Sequence, residues 1–180
     1  MLFGTGNLAT YLQHAHISVR DLKKVTIWGR SAKKIQTLIN EFSLLYPYIS
    51  FYMSLDLEEE IPYVDIICCA TAAKKPLFNG YWVSKGCHVD CLGNHMADAR
   101  ECDSALMARA SVYVDSLVNT LNEAVELLIP IEEGVFKAND VVAELADMCK
   151  QPEVLRKLSL INILRFRRYT PSRTRGSAAH

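Results

Sequence analysis

The first residues of the chain form a pattern suited to binding phosphate. Residues 2–9 read Leu-Phe-Gly-Thr-Gly-Asn-Leu-Ala, which is G-x-G-x-x-A at Gly4, Gly6 and Ala9. Gly4 permits a sharp turn out of a strand, Gly6 lets backbone N–H groups approach a pyrophosphate, and Ala9 lets a helix pack close to the sheet. The helix N-terminus then presents unpaired N–H donors to an anion. The pattern predicts dinucleotide binding, with an ordinary tight turn as the alternative.

The residues after the second predicted strand indicate which dinucleotide this turn would hold. An acidic residue about twenty positions after the glycines usually accepts from the ribose 2′-OH of NAD. No acidic residue lies between Val25 and Lys33, and the slot holds Gly29, Arg30 and Ser31. Arginine pairs with a 2′-phosphate and serine donates to it. The sequence therefore favours NADP(H) over NAD(H), with a positively charged helix start that binds no ligand as the alternative.

Polar residues at the ends of three later strands are further candidates. Thr71 follows the fourth strand and would bond a ribose or a phosphate, or cap a loop. Asn94 and His95 form a polar pair in the loop after the fifth strand. His95 has the pKa range of a general acid or base, with a solvated loop histidine as the alternative. Asp115 ends the sixth strand, where the favoured interpretation is a helix N-cap.

The cofactor-binding residues are expected to share one edge of a sheet. In an open α/β sheet, ligands bind at the carboxyl ends of the strands. The residues predicted to bind the cofactor are Gly4, Thr5, Gly6, Asn7, Leu8, Gly29, Arg30, Ser31, Ala70, Thr71, Ala72, Leu92 and Gly93.

The six cysteines indicate a reduced core rather than a disulfide framework or a metal site. Cys68 and Cys69 lie inside an apolar run, and no secretory signal pattern precedes them. Cys87, Cys91 and His95 recur every four residues, but a zinc site would need them on a helix or in a C-x2-C knuckle. This segment reads as a strand and a loop, so no metal is expected there.

Composition narrows the class of protein. The chain has 180 residues, a net charge of zero, 50% hydrophobic residues and 22% charged residues. This balance is that of a globular domain and gives no sign of a nucleic acid or a membrane as partner. The sequence contains no run of eighteen apolar residues and no secretory leader, so a cytoplasmic location is expected.

Strands and helices alternate along residues 1–150, which predicts an α/β fold with a doubly wound parallel sheet, a Rossmann-like dinucleotide-binding domain. The predicted strands are 1–3, 25–28, 49–52, 64–70, 89–92 and 112–115. The predicted helices include 7–17, one that follows the N-cap Ser31, a short one near 102–109, 117–129 and 141–149.

The last thirty residues differ in character from the rest. Residues 160–164 have the composition of a seventh strand, and five arginines follow within residues 165–175. We expect 151–180 to be a basic C-terminal tail that is partly disordered, with an RNA- or membrane-binding segment as the alternative.

Residues 86–133 resemble the ornithine cyclodeaminase/mu-crystallin family. The family's G-x-H-[IV] strand matches residues 86–89, and its R-E-x-D segment matches 100–103. Its V-D-S strand end matches 114–116, and the first two residues of its E-A-G helix match 123–124. The order of the preceding elements fits as well, so the resemblance spans about residues 1–149.

The resemblance implies an NAD(P)-dependent oxidoreductase whose partners are a nucleotide cofactor and a small amino-acid or imine substrate. It also implies a homodimer with a separate substrate-binding domain, which has no counterpart in this sequence. Cyclodeaminases use an aspartate as acid/base where Asn94 stands, and an amide cannot exchange a proton at neutral pH. We therefore expect ketimine (cyclic imine) reduction rather than ornithine cyclodeamination, because the cofactor supplies the hydride. The alternative is a catalytically inactive nucleotide-binding fragment or pseudoenzyme.

Overall fold

The computed structural model describes residues 1–92 and 99–150, together with the backbone of 160–163. The strands are β1 (Leu2–Phe3), β2 (Lys24–Trp28), β3 (Ser50–Met53), β4 (Ile66–Cys69), β5 (His88–Cys91), β6 (Ser111–Val114), β7 (Val141–Glu144) and β8 (Leu160–Ile163). The helices are α1 (Asn7–Val19), α2 (Ala32–Leu45), α3 (Leu57–Glu60), α4 (Ser104–Met107), α5 (Leu117–Glu123), α6 (Val125–Glu132) and α7 (Leu145–Lys150). Short 3₁₀ turns occupy Ile61–Tyr63, Gly80–Trp82 and Ala138–Asp140.

The eight strands form one sheet in the order β3-β2-β1-β4-β5-β8-β6-β7, with parallel pairing throughout. The predicted doubly wound, Rossmann-like α/β fold is confirmed. The strand order reverses direction between β1 and β4, which is where open α/β sheets bind their ligands. Short as it is, β1 is held on both sides, because Leu2 pairs with Ile27 and with Cys68.

Alternate residues of the central strands face two separate cores, as the two-residue period of a strand requires. Leu2 and Cys68 belong to the core that includes Phe42 of α2. Phe3 and Cys69, their chain neighbours, belong to the core on the other face. Both faces of the sheet are therefore covered, which explains why the central strands read as apolar runs.

The helix predicted at 141–149 is wrong in its first half. Residues Val141–Glu144 form β7, which pairs with β6 at the edge of the sheet, and only Leu145–Lys150 are helical. The helix predicted at 117–129 is interrupted, because Ala124 has an extended backbone (φ −84°, ψ 105°) between α5 and α6. A short apolar run fits either a strand or a helix, and its neighbours in space decide between them.

The strand predicted at 160–164 is confirmed as β8, which lies between β5 and β6. The sheet therefore continues beyond residue 150. The tail predicted over the rest of 151–180 lies outside the described residues.

Five of the six cysteines are buried and reduced, as predicted, whereas Cys149 on α7 is exposed. Burial raises the pKa of Cys68 and of Cys69 to about 12, and that of Cys87 to about 11. Among the described helices, none has the length and apolar character needed to cross a membrane.

Candidate functional site

The predicted glycine turn joins the ends of three strands. Gly4 follows β1 with φ +117°. Residues that carry a side chain rarely adopt this backbone conformation. Its N–H donates to the Trp28 carbonyl at the end of β2 (2.9 Å). A Cβ on Gly4 would lie 2.4 Å from the Ala70 carbonyl oxygen at the end of β4. Glycine is therefore required at position 4 so that the ends of β1, β2 and β4 can meet.

Gly6 is the N-cap residue of α1, and no described residue fills the space beside it. Its backbone is extended (φ −93°), and no side chain of the residues that the structure describes caps the helix. A Cβ on Gly6 would meet no described atom within 4 Å. The first N–H groups of a helix have no acceptor within the helix, and here they include those of Asn7 and Leu8. By contrast, Ser31 caps α2 and Asp56 caps α3 with their own side chains.

This geometry fits a bound phosphate. The N-terminus of α1 keeps its donors and its partial positive charge, and the missing Cβ of Gly6 leaves room for an anion to approach the backbone. Asn7 and Leu8 are exposed at the same turn.

The segment after β2 lies against the glycine turn. A Cβ on Gly29 would lie 3.0 Å from Thr5 Cγ2, which shows that the two turns are in close contact. Arg30 is exposed, so its guanidinium is accessible to a ligand. The Ser31 hydroxyl accepts from the Lys34 N–H at 3.4 Å, a long bond that caps α2.

Thr71 is fixed by a buried acid that the sequence did not assign to the site. Glu101 Oε1 accepts from the Thr71 N–H (2.6 Å) and from its hydroxyl (2.8 Å). Glu101 is fully buried, and its own N–H donates to Glu126 Oε1 (3.3 Å). The sequence marks Glu101 only by its position in the R-E-x-D segment, which does not indicate a role for it. The neighbouring Ala72 is exposed.

The end of β5 lies beside β4, because the N–H of the buried Leu92 donates to the Cys69 carbonyl (3.2 Å). The structure therefore brings the predicted residues of 4–8, 29–31 and 70–72 and Leu92 to one edge of the sheet. Gly93, Asn94 and His95 lie outside the described residues. His95 is also the third residue of the Cys87, Cys91 and His95 series, at which no metal is expected, so that series is only partly described.

The prediction that Asp115 is the N-cap of the following helix is wrong by one residue. The capping position of α5 is Ser116, and the helix begins at Leu117. Asp115 Oδ1 instead accepts from the Ser116 N–H (2.7 Å) and the Thr120 hydroxyl (3.3 Å). Asp115 therefore steadies the turn before α5.

A second polar cluster, unforeseen from the sequence, lies on the α1 face of the sheet. Asp90 is buried in β5, and its two carboxylate oxygens are bonded to different histidines. Oδ2 lies 2.8 Å from His16 Nε2, and Oδ1 lies 2.9 Å from His88 Nε2. Burial favours the neutral acid, but these two hydrogen bonds outweigh it and hold the pKa of Asp90 below its usual range. The sequence signal is Asp90 between Val89 and Cys91 in β5, two residues after His88.

Comparison with known proteins identifies relatives along most of the chain. The model of the ornithine cyclodeaminase/mu-crystallin family matches residues 1–157. A Delta(1)-pyrroline-2-carboxylate reductase of Colwellia psychrerythraea is 62% identical over 159 residues, which are 88% of this chain and 50% of that protein. A Delta(1)-pyrroline-2-carboxylate reductase of Paracoccus denitrificans is 35% identical over 151 residues, or 83% of this chain and 47% of that protein.

A solved structure agrees with these sequence matches. The structure of the Thermococcus litoralis Delta(1)-pyrroline-2-carboxylate reductase in complex with NADH and L-proline superposes with a TM-score of 0.82 at 28% identity. The match covers 90% of this chain and 51% of that one. The chain thus spans about half the length of the relatives it matches.

Proposed function

The chain belongs to the ornithine cyclodeaminase/mu-crystallin family, and on that premise we propose that it is the NAD(P)(H)-binding part of a cyclic-imine reductase. The observation that carries the proposal is the uncapped N-terminus of α1 beside the open turn at Gly6. Two of the similar proteins described above are Delta(1)-pyrroline-2-carboxylate reductases at 62% and 35% identity. The substrate class proposed is therefore a five-membered cyclic imine bearing a carboxylate.

Residues at the carboxyl ends of β1, β4 and β5 would hold the dinucleotide. The backbone N–H groups of Gly6 and Asn7 would donate to the pyrophosphate. Thr71 would accept from a ribose hydroxyl through its own hydroxyl oxygen, whose proton is donated to Glu101. Leu92 and the following Gly93, at the end of β5, would also contact the dinucleotide. The reduced cofactor, when bound, supplies the hydride for imine reduction.

We infer that this chain prefers NADP(H) over NAD(H). The segment from Lys24 to Lys34 contains no acid that could accept from a ribose 2′-OH. The exposed Arg30 is available instead, and a guanidinium binds phosphate through parallel N–H donors. The Thermococcus litoralis structure contains NADH, so the proposed preference for NADP(H) is specific to this chain.

Imine reduction is proposed in preference to ornithine cyclodeamination. Asn94 stands where the cyclodeaminases carry an acid/base aspartate, and its amide cannot take up or release a proton near neutral pH. Imine reduction would take its hydride from the cofactor at carbon and its proton from solvent, as the protonated imine nitrogen, so residue 94 need not supply either.

We propose that turnover also involves a substrate-binding part. The matched region is half of each relative, and the resemblance implies that the other part binds substrate and forms the dimer. The same observation supports a second candidate function, a nucleotide-binding protein that reduces no imine on its own.

A fluorescence titration tests cofactor binding. Trp28 ends β2 beside the proposed phosphate site, and Trp82 is the other tryptophan. In a Trp82→Phe background, NADPH should quench Trp28 saturably and NADH should do so more weakly. The matched control is Gly6→Val, which fills the open turn. A folded chain that responds to neither nucleotide would overturn the proposal.

A further inference from the structure

The polar cluster around Asp90 combines three kinds of metal-binding atoms in one place. Asp90 is in register with Cys68 on the neighbouring strand, so both side chains belong to the same face of the sheet. His16, from the last turn of α1, packs over that face. His16 Nε2, Cys68 Sγ and a carboxylate oxygen of Asp90 all lie within 4.8 Å of one another.

We propose that His16, Cys68 and Asp90 form a binding site for Zn²⁺. Imidazole nitrogen, thiolate sulfur and carboxylate oxygen are the ligands that zinc takes in proteins. One residue comes from α1, one from β4 and one from β5, so the site would join the helix to two central strands. This proposal is independent of nucleotide binding, which would occur at the carboxyl ends of the strands.

The distances require only a small adjustment. Zinc bonds of about 2.0–2.3 Å in a tetrahedral site place ligand atoms roughly 3–4 Å apart. Asp90 Oδ2 lies 2.8 Å from His16 Nε2 and 3.9 Å from Cys68 Sγ. The ion would replace these two hydrogen bonds, and the ligands would move by less than about 1 Å.

His88 would act as a support rather than a ligand. Its Nε2 is 2.9 Å from Asp90 Oδ1, the oxygen that does not face His16. It therefore fixes the carboxylate while leaving Oδ2 for the ion. Partners of this kind commonly orient the residues that bind a metal.

The site has an entry route and room for a fourth ligand. His16 and Cys68 line a cleft of about 420 Å³, which also borders Gln13, Lys24 and Asp65. Gln13 lies three residues before His16 on α1, and its amide is nearly buried. Among the described residues, its Nε2 has no hydrogen-bond partner. A water on the ion would give this amide an acceptor.

Charge balance also favours a divalent ion. Binding would release the Cys68 thiol proton to solvent and form a sulfur–zinc bond. The thiolate and the Asp90 carboxylate would then offset the two positive charges of the ion, which leaves a neutral buried centre.

Cobalt substitution tests the site directly, because a thiolate bound to Co²⁺ gives a charge-transfer absorption. The experiment uses the full chain in a Cys149→Ser background, which removes the exposed thiol. One equivalent of Co²⁺ should produce the band, and one equivalent of Zn²⁺ should abolish it. Cys68→Ser should eliminate the band, and His16→Gln should weaken Zn²⁺ affinity at least tenfold.

Two further variants distinguish a residue that binds the ion from one that only orients a metal-binding residue. His88→Gln should keep the band but lose roughly 10–100-fold in Zn²⁺ affinity, the range typical of residues that orient ligands. His14→Gln, on the same helix but bonded to Tyr46, should change neither. Circular dichroism identifies variants that fail to fold. No band in the folded parent chain, or an unchanged band in Cys68→Ser, would overturn the proposal.

Discussion

Two glycines only two positions apart have different physical requirements. Gly4 needs positive φ and has the Ala70 carbonyl against it, whereas Gly6 has ordinary φ and open space. Gly4→Ala should therefore lower the free energy of unfolding, by about 1–2 kcal/mol for the backbone alone and more for the clash. Gly6→Val should leave the free energy of unfolding within about 1 kcal/mol of the parent but abolish binding of NADPH and NADH.

Urea denaturation and nucleotide titration of the same two variants measure these effects separately. If Gly6→Val kept its nucleotide affinity, the turn would not hold the pyrophosphate. A stable Gly4→Ala protein would show that the contact with β4 relaxes easily.

The Arg30 side chain should determine the preference for NADPH over NADH. Removing a charged hydrogen-bond partner of a phosphate costs about 1.5–3 kcal/mol, so Arg30→Ala should weaken NADPH binding roughly 10–100-fold. NADH binding should change little, because NADH has no 2′-phosphate. The control is Lys33→Ala, which removes another exposed cation of the same segment. Equal losses for both nucleotides in Arg30→Ala would contradict the assignment.

Part of the site was predictable from residue types alone. The turn at Gly4 and Gly6 has a local signature, because its chemistry is carried by adjacent residues. The contact between Thr71 and Glu101 has none, since it joins residues thirty positions apart. The same holds for His16 and Asp90, which meet only because α1 packs on β1 and β4, beside β5.

At the scale of elements, Glu101 connects the loop after β4 to the segment before α4. Its replacement by alanine would leave the Thr71 N–H and hydroxyl without this acceptor at a partly buried site. Glu101→Ala should lower the free energy of unfolding by at least about 2 kcal/mol. Glu101→Gln, which retains an oxygen at the same place, should cost less.

Thermal unfolding of the two variants and the parent checks this order. A larger loss for Glu101→Gln than for Glu101→Ala would mean that the acid is not held in place by Thr71. Nucleotide affinity should follow the same order, because Thr71 lies at the proposed binding edge.

The elements that the sequence predicted well are those with strong periodicity. Helix α1, predicted at 7–17, is observed at Asn7–Val19, and α2 follows its predicted N-cap Ser31. The incorrect predictions concern short segments after residue 116. The residues of β7 were predicted to be helical, and the break in the helix at Ala124 was not predicted. Pairing along the edge of β6 fixes β7 as a strand, and this pairing leaves no mark in the local sequence.

At the scale of the whole molecule, burial should govern thiol reactivity. The thiolate is the reactive form, and burial raises the pKa of Cys68, Cys69 and Cys87 far above neutrality. Cys91 and Cys102 are also buried, with raised pKa values. A disulfide reagent at neutral pH should therefore modify one thiol per native chain rapidly, and all six in denaturant.

The reactive thiol should be Cys149, the one exposed cysteine of the six. Cys149→Ser should therefore leave no rapidly reacting thiol. Several fast thiols in the native parent would indicate that the sheet opens readily.

The position of β8 shows why the extent and the strand order of the sheet could not be predicted from the sequence. Its sequence indicated a strand, but nothing in it indicated insertion between β5 and β6. Parallel neighbours can be distant in sequence, so strand order follows from packing rather than from local pattern. The sheet thereby includes residues from both sides of the predicted boundary at residue 150.

At the scale of the whole molecule, the proposed imine reduction is tested on a fusion protein, because the chain spans about half the length of each relative. We expect that fusion to the unmatched half of the Colwellia psychrerythraea reductase would give NADPH-dependent reduction of Delta(1)-pyrroline-2-carboxylate, measured as loss of NADPH absorbance. The same fusion should form no proline from ornithine, because Asn94 cannot exchange a proton.

The Gly6→Val fusion is the control that should lose imine reduction while remaining folded. Proline formation from ornithine by the Asn94 fusion would contradict the reaction assignment. A fusion that binds NADPH but reduces no imine would support the second candidate function, a nucleotide-binding protein without turnover. Because the chain spans about half the length of these relatives, the fusion protein is the molecule in which reduction and binding alone can be distinguished.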